Sequence, residues 1–130
     1  MFLKSLKKIL VVEDDVLVAE LLRDNISGLD CKLFVVYDGK AGWELAQKEK
    51  PDLIISDIGL PDIDGITLCK LIKGNAKTSH ARVIMLTGKK LVGDMERAFK
   101  AGADTYVNKP FNWDQVLRHI QELLPLPPDK

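Results

Sequence analysis

The chain lacks most of what announces a metal-thiolate, redox or membrane protein. Its 130 residues include only two cysteines and two histidines, and nineteen basic residues cancel nineteen acidic ones. Cys31 and Cys69 have no partner at metal-like spacing, so both are expected as reduced core or near-core residues. A formal charge of zero removes the electrostatic reason to expect nucleic acid as a partner. No segment approaches the roughly 20 apolar residues a membrane helix needs. The lysine-bearing amino terminus does not read as a signal peptide, because its apolar run stops at Glu13. A cytoplasmic protein is the simplest expectation. Internal repeats and low-complexity blocks are missing too.

What is present is an ordinary globular composition, 46% hydrophobic and 29% charged, at a length suited to one domain. The stretch KPDLIISDIGLPDIDG, residues 50–65, organises the rest. Leu53, Ile54 and Ile55 form a short apolar run suited to a strand covered on both faces, and Asp57 falls where that strand ends. Gly59, Pro61, Asp62, Asp64 and Gly65 then spell a loop.

The remainder alternates in the same way. Strands are expected at 8–12, 32–37, 82–86 and 105–107, where β-branched and aliphatic residues cluster. Helical spacing places Leu17, Val18, Leu21, Leu22 and Ile26 on helix one, and Ala41, Trp43, Leu45 and Ala46 on helix two. Helix three runs over 66–73. Val92, Met95, Ala98 and Phe99 mark helix four, stopped by Gly102. Asn112 can cap helix five, with Val116, Leu117, Ile120, Leu123 and Leu124 on its apolar face. Trp43 and Trp113 read as helix-packing residues. Five strands alternating with five helices predict a doubly wound parallel α/β sheet, because each parallel crossover needs a helix. Residues 1–124 form the expected domain, and the proline-rich 125–130 a tail or linker stump.

In such a sheet every strand delivers its carboxyl end to one edge, where open α/β sheets bind ligands. Strand one brings Glu13, Asp14 and Asp15, strand three Asp57, strand four Thr87 and strand five Lys109. Clustered carboxylates call for a cation, and hard oxygen ligands favour Mg²⁺. Lys109 and Thr87 suit the oxygens of a phosphoryl group. His80 and His119 lie away from this edge, and no reactive Cys or activated Ser accompanies it. The nucleophile that remains is a carboxylate, as in enzymes that form an aspartyl phosphate.

The segments ILVVEDD at 9–15, KPDLIISDIGLPDIDG at 50–65, IMLTG at 84–88 and AGADTYVNKPF at 101–111, in this order, closely resemble the receiver domain of two-component response regulators, the CheY-like superfamily. The resemblance covers residues 7–124. It implies a flavodoxin-like sheet of strand order 2-1-3-4-5, with Asp57 as phosphoacceptor for a histidine kinase or histidine phosphotransfer protein. Asp14 would hold Mg²⁺ directly and Glu13 through water, with Asp57 and the Gly59 carbonyl completing the protein ligands. Asp15 becomes a neighbour at the helix start. Thr87 and Lys109 would bind phosphoryl oxygens, Lys109-Pro110 would be cis, and Tyr106 would turn inward as Thr87 moves toward the phosphate.

The resemblance further implies that the chain catalyses its own phosphorylation and dephosphorylation, as a switch rather than a turnover enzyme. The face of helix four, strand five and helix five would carry the output, or a homodimer contact. Gly59 and Lys89 depart from the common pattern at two positions that tune water access, so an altered phosphoryl lifetime is expected, of either sign. The rival reading is a receiver-fold binding module that acts without phosphorylation.

Overall fold

The structure, a computed structural model, describes residues 6–88 and 93–125. Five strands, β1 (Lys7–Val12), β2 (Cys31–Val36), β3 (Leu53–Asp57), β4 (Arg82–Thr87) and β5 (Thr105–Asn108), alternate with five helices. These are α1 (Val16–Ile26), α2 (Gly39–Glu49), α3 (Gly65–Gly74), α4 (Asp94–Lys100) and α5 (Trp113–Leu123). All pairings are parallel, as the sequence pattern predicts, in the order β2-β1-β3-β4-β5 that the resemblance implies.

Side chains alternate across the sheet and build two cores. On one face Leu10, Val12, Ile54, Val83 and Met85 pack against Ala46 of α2, the apolar side of α3 and Ala98 of α4. On the other Ile9, Val11, Ile55, Ile84, Leu86 and Val107 meet Leu22 and Ile26 of α1 and Val116 and Ile120 of α5. Right-handed crossovers account for this division. The chain steps one way from β1 to β2 and the other way thereafter, so α1 falls on the face opposite α2, α3 and α4. The order reverses at β1, whose neighbours are β2 and β3, and a cleft opens there at the strands' carboxyl ends.

Side-chain caps set the helix starts. Asp15 accepts from the Leu17 and Val18 amides, Asp38 from Ala41, Asp64 from Thr67 and Asn112 from Gln115. Gly65 is required where it stands, because a Cβ would collide with the Asp57 carbonyl as α3 leaves the sheet edge.

The helical pattern of α1 needs correction. Leu17 is 82% exposed and Leu21 is 49% exposed, while Ala19, Leu22 and Ile26 are buried. The apolar stripe is wider than the surface the sheet covers, and only one half of it faces inward. The polar segment 74–80 between α3 and β4 also holds a buried residue, Thr78, whose hydroxyl donates to the Ile72 carbonyl at 2.7 Å. Cys69 is core, its thiol 3.5 Å from the Ala101 carbonyl and pushed up to about 11 by burial. Cys31 is half-buried and also raised by burial. Val92, Lys89 and residues 126–130 lie outside the described residues.

Candidate phosphoryl and metal site

Strand register assembles the site. Val12 pairs with Ser56, so the next residues along, Glu13 and Asp57, emerge side by side. Asp57 pairs with Leu86, placing Thr87 one step beyond, and Thr87 pairs with Asn108, placing Lys109 one step beyond that. Backbone hydrogen bonds continue the ladder past the strands: Ile58 N–H donates to the Leu86 carbonyl at 2.9 Å and Lys109 N–H to the Thr87 carbonyl at 2.6 Å. The Lys109-Pro110 peptide that follows is cis. All of these side chains line one cavity of about 610 Å³, together with Asp14, Asp15, Ile58, Gly59, Gly88 and Asp94.

Among the described residues the cavity holds more negative charge than its one lysine balances. Glu13 is fully buried and Asp57 nearly so. The Lys109 ammonium lies 2.5 Å from Glu13 Oε1 and 3.3 Å from Asp57 Oδ1. Glu13 Oε2 accepts from the Asp15 amide at 3.1 Å, leaving Oε1 with the ammonium as its one partner among the described residues. Burial raises the Glu13 carboxyl above its ordinary range, against the bonds from Lys109 and the Asp15 amide. Burial likewise raises Asp57; Lys109 opposes the shift and the Asp14 charge adds to it. Burial disfavours the Lys109 ammonium, but Glu13 and Asp57 outweigh it, and its pKa is raised.

Carboxylate oxygens of Glu13, Asp14 and Asp57 come within 4.8 Å of one another, a donor set of hard oxygens that fits a divalent cation such as Mg²⁺. The raised carboxyls supply an independent reason, since a cation would relieve the repulsion that protonation otherwise relieves. Asp15 stands apart from this group as the α1 cap. Gly59 lines the cavity beside it, and a Cβ built there would lie 3.6 Å from Asp57 Oδ2, in ordinary contact.

Tyr106 is half-buried against the core on the α2–α4 face, and its phenol interacts electrostatically with the Thr87 side chain. Burial raises the phenol pKa, the Asp94 charge adds to the rise and the interaction with Thr87 opposes it. The structure therefore brings together Glu13, Asp14, Asp57, Gly59, Thr87, Lys109 and Tyr106. His80 is exposed, 3.4 Å from the Lys50 carbonyl, and His119 sits on α5 beside Glu122. Sequence reasoning missed Asp94, which is 3% exposed. Its signal was spacing, since Asp94 stands four residues before the inward-facing Ala98 and so shares its face.

Comparison with known proteins agrees with this geometry. Residues 9–121 match the family model described as response regulator receiver domain. The chain is 31% identical over 118 residues to the polar-differentiation response regulator DivK of Brucella anthropi, covering 91% of this chain and 96% of DivK. It is 33% identical over 117 residues to the DNA-binding dual master transcriptional regulator RpaA of Synechocystis, covering 90% of this chain and 48% of RpaA, so it spans about half of that longer relative. Among solved structures, the receiver domain of sensor histidine kinase PA1611 from Pseudomonas aeruginosa, with a magnesium ion coordinated in its active site cleft, superposes with a TM-score of 0.82. The two are 28% identical, over 92% of this chain and 98% of that one. A parallel 2-1-3-4-5 sheet, an acidic cluster at its switch point and a match across nearly the whole domain place the chain in one family: it belongs to the response regulator receiver domains of two-component systems.

Proposed function

We propose that the chain is a phosphorylation-dependent signalling receiver in which Asp57 accepts a phosphoryl group from a phosphohistidine donor. The observation that carries this reading is the composition of the cleft, in which, among the described residues, three converging carboxylates face one ammonium. An Asp57 oxygen attacks phosphorus, the bond from phosphorus to the donor imidazole nitrogen breaks, and the imidazole leaves with the electron pair. Asp57 becomes an acyl phosphate.

Glu13, Asp14 and Asp57, with the Gly59 carbonyl, would hold Mg²⁺, which when bound supplies charge neutralisation for the incoming phosphoryl oxygens. The chain's own groups do the rest. Lys109 moves its positive charge from two carboxylates onto a phosphoryl oxygen, and the Thr87 hydroxyl donates to another. The product adds roughly −1.5 to −2 of charge to the cavity on the scale of phosphorylated side chains. Thr87 interacts with Tyr106, so its movement is felt on the face of α4, β5 and α5, the proposed output face and homodimer contact. Met95 and Phe99, about half-exposed on α4, are the apolar groups that face offers.

The donor also needs a seat. A second cavity of about 370 Å³, lined by Asp15, Val18, Leu21, Pro110 and Phe111, shares Lys109 with the first. With the half-exposed Leu21 in its wall, it suits an apolar helix of a kinase or phosphotransfer protein that presents its histidine to Asp57. The end of α5 at Leu123 supports residues 1–124 as the functional unit. No helix among the described residues is long and apolar enough to cross a membrane.

Intact mass after incubation with Mg²⁺ and acetyl phosphate tests the reading. One added phosphoryl group is expected, lost with a chelator and in Asp57→Ala. No adduct from acetyl phosphate, a histidine kinase or beryllofluoride would overturn it in favour of a binding module that works without phosphorylation.

A further inference from the structure

Among the described residues three carboxylates are buried, Glu13, Asp57 and Asp94, and all three line the same cavity. The first two belong to the acidic group that fits a cation, and Asp94 does not. Its surroundings also differ from those of an ordinary first-turn carboxylate. Glu96, in the same turn of α4, is 72% exposed and pairs with Lys100 at 3.4 Å, as helix geometry and the helix dipole favour. Asp94 instead has its side chain 4% exposed, while the cation that holds it, Arg97 at 3.1 Å, is 59% exposed.

A buried charge whose partner stands in water is poorly compensated, because water screens the partner. Gly93 enters α4 with φ of 86°, a left-handed conformation open to glycine. Asp94, the next residue, places a negative charge within reach of the Tyr106 phenol and on the wall of the cavity that Asp57 and Thr87 share.

We propose that Asp94 is the positioning residue through which phosphoryl charge arriving at Asp57 acts on α4 and on the Thr87–Tyr106 pair. The inference rests on Asp57 being the phosphoacceptor. Added negative charge in the cavity repels the buried Asp94 carboxylate and favours its outward movement with the first turn of α4. Arg97 offsets part of the Asp94 charge and so lessens its repulsion of the arriving group. The two residues should therefore affect occupancy of the site in opposite directions, which a purely structural ion pair would not do.

The test is a titration of the ¹⁵N-labelled full chain with beryllofluoride in Mg²⁺, beryllofluoride standing in for a phosphoryl group on the carboxylate. Amides of Ile58 and Gly59 report half-saturation, and amides of α4 and Tyr106 report the response. Asp94→Asn is expected to tighten binding by roughly fivefold, the scale of one screened charge pair, while shrinking the response at α4 and Tyr106. Arg97→Gln, at an exposed position, is expected to weaken binding, and Asp94→Glu to keep the parent's response. Asn and Gln variants that shift binding in the same direction, or leave it unchanged, would overturn the proposal. Should Asp94→Asn not fold, an unchanged half-saturation in Arg97→Gln overturns it alone. A parent chain that binds no beryllofluoride removes the phosphoacceptor reading, and this inference falls with it; a parent that binds beside unresponsive variants removes this inference only.

Discussion

The two edges of the sheet handle charge in opposite ways. At the amino edge Asp104, Asp52 and Glu49 are each matched. Asp104 accepts from Lys73 at 3.1 Å, from Arg82 at 3.0 Å and from the Val83 amide at 2.8 Å. Asp52 accepts from the Lys8 amide at 2.9 Å, and Glu49 from the Lys8 ammonium at 3.1 Å. At the carboxyl edge Glu13 and Asp57 share one lysine, with Asp14 and Asp94 on the same cavity wall. Matched charge at one edge is a structural fastening. Unmatched charge at the other is what the proposed cation would neutralise.

The largest expected effect that separates the edges is on phosphoryl transfer. Lys109→Met removes the one positive group that lines the cleft among the described residues and should slow adduct formation from acetyl phosphate by roughly 100-fold, the scale of losing one charge-stabilising donor. Time-resolved intact mass checks this. Asp104→Ala should do the reverse, leaving that rate alone while destabilising the fold by about 1–3 kcal/mol, since it strips the Val83 amide and two cations of their acceptor. Urea unfolding of the variant provides the measurement, and a rate loss as large as that of Lys109→Met would erase the distinction.

A smaller effect concerns pH. The folded Glu13 and Asp57 carboxyls are raised above their ordinary values of 4.5 and 3.8, so the folded chain keeps protons that the unfolded chain has already released. Their contribution to stability is therefore greatest below the ordinary values and declines as pH rises through the raised folded ones. Without divalent cation, denaturation midpoints should fall across that window, and saturating Mg²⁺ should flatten the fall by favouring the ionised carboxylates. An identical slope with and without Mg²⁺ would argue that the carboxyl edge holds no cation.

The smallest expected effect is on lifetime. At Gly59 a Cβ meets only Asp57 Oδ2, in ordinary contact, so Gly59→Met should fit, cover the phosphoryl group from water and lengthen its half-life severalfold. Decay of the phosphorylated mass after donor removal measures it, and a parent-like half-life would remove Gly59 from the account. Lys89, the other position expected to tune water access, lies outside the described residues.

How much of this was legible in the sequence follows from which interactions are local. Strand ends are local: the apolar run at Leu53–Ile55 and the polar break after it put Asp57 at an edge, and the same reasoning put Glu13, Thr87 and Lys109 there. Parallel topology then made them converge. The buried half of α1 was not legible, because periodicity describes a stripe and the crossing of helix over sheet selects which side of it is covered; Leu17 lost that selection and Leu22 won it. Asp62 is similar. It read as a turn residue, yet it accepts from the Gly39 and Lys40 amides at 2.8 and 2.9 Å and ties the β3–α3 loop to the start of α2. Such a contact spans more than twenty positions and leaves no local pattern. Asp94 stayed hidden because a charged residue in a first helical turn ordinarily faces water, as Glu96 does.

The central claim is that the unmatched edge exists to make one aspartate accept a phosphoryl group. Its most direct test is to load the chain with acetyl phosphate in Mg²⁺, reduce with borohydride to convert an aspartyl phosphate to homoserine, and locate the homoserine by peptide mass spectrometry. Homoserine at position 57 alone, and none when Mg²⁺ is chelated, is the result expected. Homoserine spread over several aspartates, or at one outside the cleft such as Asp52 or Asp104, would contradict the account.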